Sequence, residues 1–171
     1  KKSEKLLDDY IYIPCSYRNS KGEECGDLIH NVVKSVGGQA PRLTILEAAA
    51  GYGKTCTAYE ILSVLLKERK ERIPLFIELS KNRTARIFRH VLYDEMDKKF
   101  TQLSYETVLR EVKDGRLPLI IDGFDELIDQ KEEKRVQDSQ EEIDESSLTM
   151  LSTIADLLGD DSRAWILLTT R

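Results

Sequence analysis

At 171 residues with 40% apolar content, the chain suits one domain with a real core, and two would be a squeeze. The net charge of −5 and the lack of a basic stripe argue against a nucleic-acid-binding surface. The longest apolar runs, such as "LPLII" with Pro118 inside, fall far short of the roughly 20 residues that cross a bilayer. The opening "KKSEKLLDDY" lacks the apolar segment of a secretory signal. Cys15, Cys25 and Cys56 form no C-x-x-C, and His30 and His90 stand apart, so ordinary thiols in a reducing cytoplasm are the expectation, without a disulfide framework or zinc site.

In chain order, residues 1–42 read as an approach or linker segment. "YIYIPC" alternates weakly and stops at Pro14, "YRNSKGEECG" is rich in turn formers, and "DLIHNVVKSVGG" sets Leu28, Ile29, Val32, Val33 and Val36 on one helical face. The rhythm then becomes regular. A short apolar strand is expected over Leu43 to Glu47, and a helix over Lys54 to Lys70 with Ala58, Ile61, Leu62, Leu65 and Leu66 inward. A second strand spans Pro74 to Leu79. Helices follow over Thr84 to Lys98, with Ile87, Phe88, Val91, Leu92 and Met96 inward, and from the N-cap Ser104 to Lys113, closed by Gly115. Leu117 to Asp122 is a third strand, Leu148 to Leu158 a helix, and Ala164 to Thr169 a fourth strand. Residues 129–147 hold eight acids against three bases. Such a segment has too little apolar surface to offset its ordering entropy and reads as a mobile insertion. Apolar strands separated by helices predict an α/β fold of three layers, a parallel sheet of at least four strands flanked by helices.

The loop between the first strand and its helix reads "EAAAGYGKTCT". Ala48, Gly53, Lys54 and Thr55 hold the places of G-x-x-x-x-G-K-[ST], with alanine for the first glycine, in the strand–loop–helix setting that the motif requires. Gly51 and Gly53 permit the backbone angles that turn amides toward phosphate. Lys54 would reach the β- and γ-phosphates and Thr55 would ligate Mg²⁺, while the helix N-terminus adds partial positive charge. Ala48, Ala49, Ala50, Gly51, Tyr52, Gly53, Lys54, Thr55 and Cys56 form the candidate nucleotide-binding loop. The third strand ends "LIIDGFDEL". Asp122 is the candidate Mg²⁺ carboxylate, and Glu126, with Asp125 as runner-up, is the candidate base for the attacking water. The fourth strand ends "WILLTTR"; its polar residues emerge at the carboxyl edge, where Arg171 could pair with a γ-phosphate.

Together, "AAAGYGKT", "LIIDGFDEL" and "WILLTTR" resemble the nucleotide-binding core of NACHT-type STAND NTPases, signal-transducing ATPases of animal innate immune receptors and bacterial antiviral proteins. The match spans about residues 43–171, and Gly123, directly after the aspartate, is its most specific letter. The resemblance implies that Ala48 to Thr55 is the Walker A loop, Asp122 the Walker B aspartate, Asp125 and Glu126 the acidic pair, and Thr169 to Arg171 sensor 1. Tyr12, Ile13 and Pro14 fall where the family covers the adenine. It further implies ATP or ADP with Mg²⁺ as ligands, slow switch-type hydrolysis, and a change from a closed ADP state to an ATP-dependent oligomer. Tyr52 departs from the pattern, standing where a small residue is usual, over the nucleotide or toward solvent. The family's fifth strand, lid and winged-helix domain lie beyond these residues, so the expected piece is a partial domain that need not hydrolyse ATP alone. Two other readings stay open: a constitutive AAA+-like ATPase, which would place an acid directly after Asp122, and a nucleotide-binding interaction module without hydrolysis.

Overall fold

Turn chemistry starts the described chain: in the computed structural model, which describes residues 12–69, 71–82, 88–99, 103–125 and 145–171, Tyr17–Arg18 (β1) pairs antiparallel with Glu24–Cys25 (β2). The Asn19 side chain closes the intervening turn by accepting from the Lys21 and Glu23 amides. Helix Leu28–Lys34 (α1) follows, its Asp27 cap accepting from the His30 amide. Four parallel strands, Arg42–Glu47 (β3), Leu75–Glu78 (β4), Leu119–Asp122 (β5) and Trp165–Thr170 (β6), then form one sheet in the order β3-β6-β5-β4. The helices between them are Lys54–Glu68 (α2), Phe88–Lys99 (α3), Tyr105–Lys113 (α4) and Glu145–Ala155 (α5).

Strand periodicity sorts the core into two layers, because alternate side chains point to opposite faces. Ile120, Trp165 and Leu167 join α1 and α2 through Val32, Val33, Ala58, Ile61 and Leu65. On the other face Leu75, Ile77, Leu119, Ile121, Ile166 and Leu168 meet Phe88, Val91 and Met96 of α3, Val108 and Val112 of α4, and Met150 and Ile154 of α5. This is the expected three-layer α/β arrangement. The segment ahead of the sheet is anchored as well, since Val36 belongs to the α2 core and the Trp165 indole donates to Ser35 Oγ at 2.8 Å.

Element ends differ from the expectation by a few residues. β5 starts at Leu119 rather than Leu117, beyond Pro118, which has no amide to give the ladder. α2 stops at Glu68, and α4 starts from the expected Ser104 cap, whose hydroxyl accepts from the Thr107 amide. The helix expected from Thr84 is described from Phe88, so Thr84 and Ile87 lie outside the described residues. The helix expected over Leu148 to Leu158 is α5 followed by a 3₁₀ turn, Asp156–Leu158. The last three residues of the acidic stretch 129–147, expected as a mobile insertion, open α5; its other residues lie outside the described ones.

Candidate nucleotide-binding site

β3 hands the chain to the loop gradually. The Ala48 amide still donates to the Thr170 carbonyl at 3.2 Å, continuing the β3–β6 ladder, and Ala48 is not among the residues with positive φ. A methyl group therefore fits where the motif usually has glycine. Gly51 and Gly53, by contrast, sit at φ +81° and +77°, in the left-handed region that side chains resist. Gly53 is also the residue from which α2 starts. Lys54, on the first turn of α2, folds its ammonium back onto the Ala48 and Ala49 carbonyls at 2.7 and 3.3 Å. Ala49 and Ala50 are exposed in the loop and Cys56 is half-buried in α2. The Tyr52 ring is 78% exposed.

Across the sheet, β5 delivers Asp122 to the same point. Asp122 alternates with Ile121 and so points to the α2 face, where its Oδ2 accepts from the Thr55 hydroxyl at 2.8 Å. Its Oδ1 accepts from Thr169 Oγ1 at 2.6 Å. The chain turns at once through Gly123, φ +82°, into Phe124 and Asp125, both buried. Asp125 Oδ2 meets Arg171 Nε at 2.8 Å. Its Oδ1 is buried with no hydrogen-bond partner among the described residues. The expected first-choice base, Glu126, lies outside the described residues. Thr169, expected at the sensing edge, is instead fully buried and turned inward to Asp122.

Glu78 and Tyr59, near the site, were not among the candidate residues expected from the sequence. Glu78 ends β4 in register with Asp122 and takes a 2.6 Å hydrogen bond from the Tyr59 hydroxyl, with Lys81 on its other oxygen. Tyr59 stacks on Phe76 at 4.6 Å between ring centroids. Burial first, and the Asp122 charge second, push the Tyr59 phenol above its usual range. The available signal was an acid closing a buried strand, the same feature that marked Asp122. Tyr12 is half-buried, whereas Ile13 and Pro14 are exposed; burial, then the charges of Cys15, Glu60 and Asp27, raise the Tyr12 phenol.

The donors suit a hard divalent cation. A hydroxyl and one carboxylate converge, and Mg²⁺ keeps most of its waters while taking one or two protein oxygens plus phosphate. The orphaned Asp125 Oδ1 supplies a further acceptor, for a water. Among the described residues no group of three or more His, Cys, Asp or Glu side chains forms an all-protein metal cage, and no helix is long and apolar enough to cross a membrane.

No protein-family model matches the chain, and no curated protein does. Among solved structures it is similar to the Aeropyrum pernix ORC2 protein, determined in ADPNP–ADP complexes, at 16% identity and a TM-score of 0.42. That similarity covers 96% of this chain and 44% of the other, so the chain spans less than half the length of that protein. A likeness of that size carries no functional argument. The fold rests on the strand order and register, and the functional reading on the loop and its neighbours.

Proposed function

We propose that the chain is the nucleotide-binding core of a NACHT-type STAND NTPase. It binds ATP or ADP with Mg²⁺ and hydrolyses ATP slowly, as a switch from a closed ADP state to an ATP-dependent oligomer in antiviral or innate immune defence. One observation carries the nucleotide reading. Two motifs 67 residues apart converge in the Thr55–Asp122 hydrogen bond, at a loop whose glycines occupy the left-handed region. The finer family reading is supported by Gly123 between Asp122 and Asp125, at a turn whose φ favours glycine.

In this reading the loop amides and the α2 N-terminus hold the phosphate oxygens. Lys54 leaves the Ala48 and Ala49 carbonyls for the β- and γ-phosphates, exchanging neutral acceptors for charged ones. Thr55 and Asp122 hold Mg²⁺, which when bound neutralises charge on the transferring phosphoryl group. Glu126, or Asp125 through Oδ1, orients the attacking water and takes its proton. Arg171 senses the γ-phosphate after release from Asp125.

Binding of a fluorescent ADP analogue tests this directly. Lys54→Ala is expected to weaken it roughly 10- to 100-fold, the worth of one or two charge-assisted contacts. Affinity equal to that of the wild-type chain would sink the assignment. The Arg171–Asp125 pair favours a second reading, a module that binds ATP without hydrolysing it, because it engages a candidate base. A single-turnover assay with radiolabelled ATP separates the two: labelled product that disappears in Glu126→Gln supports hydrolysis, and tight binding without product supports the module.

A further inference from the structure

Thr169 is a polar residue at 0% exposure, with its hydroxyl fully committed. It donates to Asp122 Oδ1 at 2.6 Å and accepts from the Gly123 amide at 2.9 Å. Its carbonyl takes the Phe124 amide at 3.0 Å. The end of β6 thus grips the start of the turn after β5 at three consecutive residues, 122 to 124. The terminal torsion of an aspartate is broad and its two oxygens are equivalent, so an untethered Asp122 carboxylate would be free to rotate its plane away from α2. With Oδ1 held from within the sheet, Oδ2 is the oxygen that meets Thr55.

We infer that Thr169 is a positioning residue: its hydroxyl orients the Asp122 carboxylate so that Oδ2 and the Thr55 hydroxyl form a preset pair for a nucleotide-bound divalent cation. The inference rests on the nucleotide-binding reading and adds a residue that does not itself touch nucleotide. Partners of this kind, one step removed from a metal ligand, change metal affinity roughly 10- to 100-fold when lost. A merely structural hydroxyl would change stability alone.

The test is a Mg²⁺ titration of the binding of a fluorescent, non-hydrolysable ATP analogue, with a metal-free arm in EDTA. Thr169→Val removes the hydroxyl at constant shape, and Thr169→Ser keeps it. The expected result is a half-saturating Mg²⁺ concentration raised roughly 10-fold or more in the valine variant, restored in the serine variant, with metal-free affinity within about two-fold of wild type throughout. An unchanged Mg²⁺ requirement in Thr169→Val overturns the inference, as does equal weakening with and without metal. Should Thr169→Val fail to fold, Thr169→Cys, a weaker donor of similar size, is expected to give an intermediate requirement, and a wild-type value overturns the inference. Wild-type binding that ignores Mg²⁺ also overturns it while sparing the nucleotide reading. Absence of any analogue binding by the wild-type chain defeats the nucleotide reading itself.

Discussion

Gly123 shows how much a single residue can decide. At φ +82° it turns the chain so that Asp122 faces Thr55 while Asp125, three residues on, reaches Arg171. A Cβ at such an angle costs about 1–2 kcal/mol. Gly123→Ala is therefore expected to lower the unfolding free energy in urea by about that amount and to weaken nucleotide binding in parallel; unaltered stability would mean that the turn relaxes freely. Ala48 illustrates the converse. It departs from the motif, yet its amide remains in the β3–β6 ladder and its backbone needs no glycine. Gly123 was legible in the sequence as a letter of a motif, and its physical reason became visible only with the backbone angle.

At the scale of elements, β3 differs from its neighbours. Every residue of β5 is buried, whereas Leu43 and Ile45 of β3 are exposed, Ile45 at 56%. They point to the face that α3, α4 and α5 cover on the other strands, and among the described residues β3 is an edge of the sheet. An edge strand with an apolar face is a template for association with other chains. Ile45→Lys is expected to reduce concentration-dependent self-association in sedimentation velocity while leaving the thermal midpoint nearly unchanged. An unaffected sedimentation profile would move the source of any self-association elsewhere. The alternation of β3 could be read in advance, since Leu43 and Ile45 share a face by period two. What covers that face could not, because it depends on which helices return across which strands.

For the molecule as a whole, three tyrosines among the described residues are expected to weaken stability on the alkaline side. Tyr12, Tyr59 and Tyr105 all have phenols raised by burial before any other cause; at Tyr105 burial outweighs Arg89, which pulls the other way. A group with a raised folded pKa contributes stability that is fully present below its unfolded value, about 10 for tyrosine, and lost as pH rises through the folded value. The thermal midpoint is therefore expected to fall beyond about pH 10, and Tyr105→Phe to fall less steeply there than the wild-type chain. Parallel curves would assign the alkaline limb to other groups.

Several features were determined by the sequence alone: four apolar strands, the helices between them, the Ser104 cap, and the strand–loop–helix setting that carries Lys54 and Thr55. Each follows from side-chain periodicity, capping chemistry or a motif within a dozen residues, which are local properties. The strand order β3-β6-β5-β4, the inward turn of Thr169, the Arg171–Asp125 pair and the placing of Glu78 beside Asp122 were decided only by the tertiary structure. They depend on partners tens of residues away, and no local rule of hydrophobic spacing says which buried strand lies beside which.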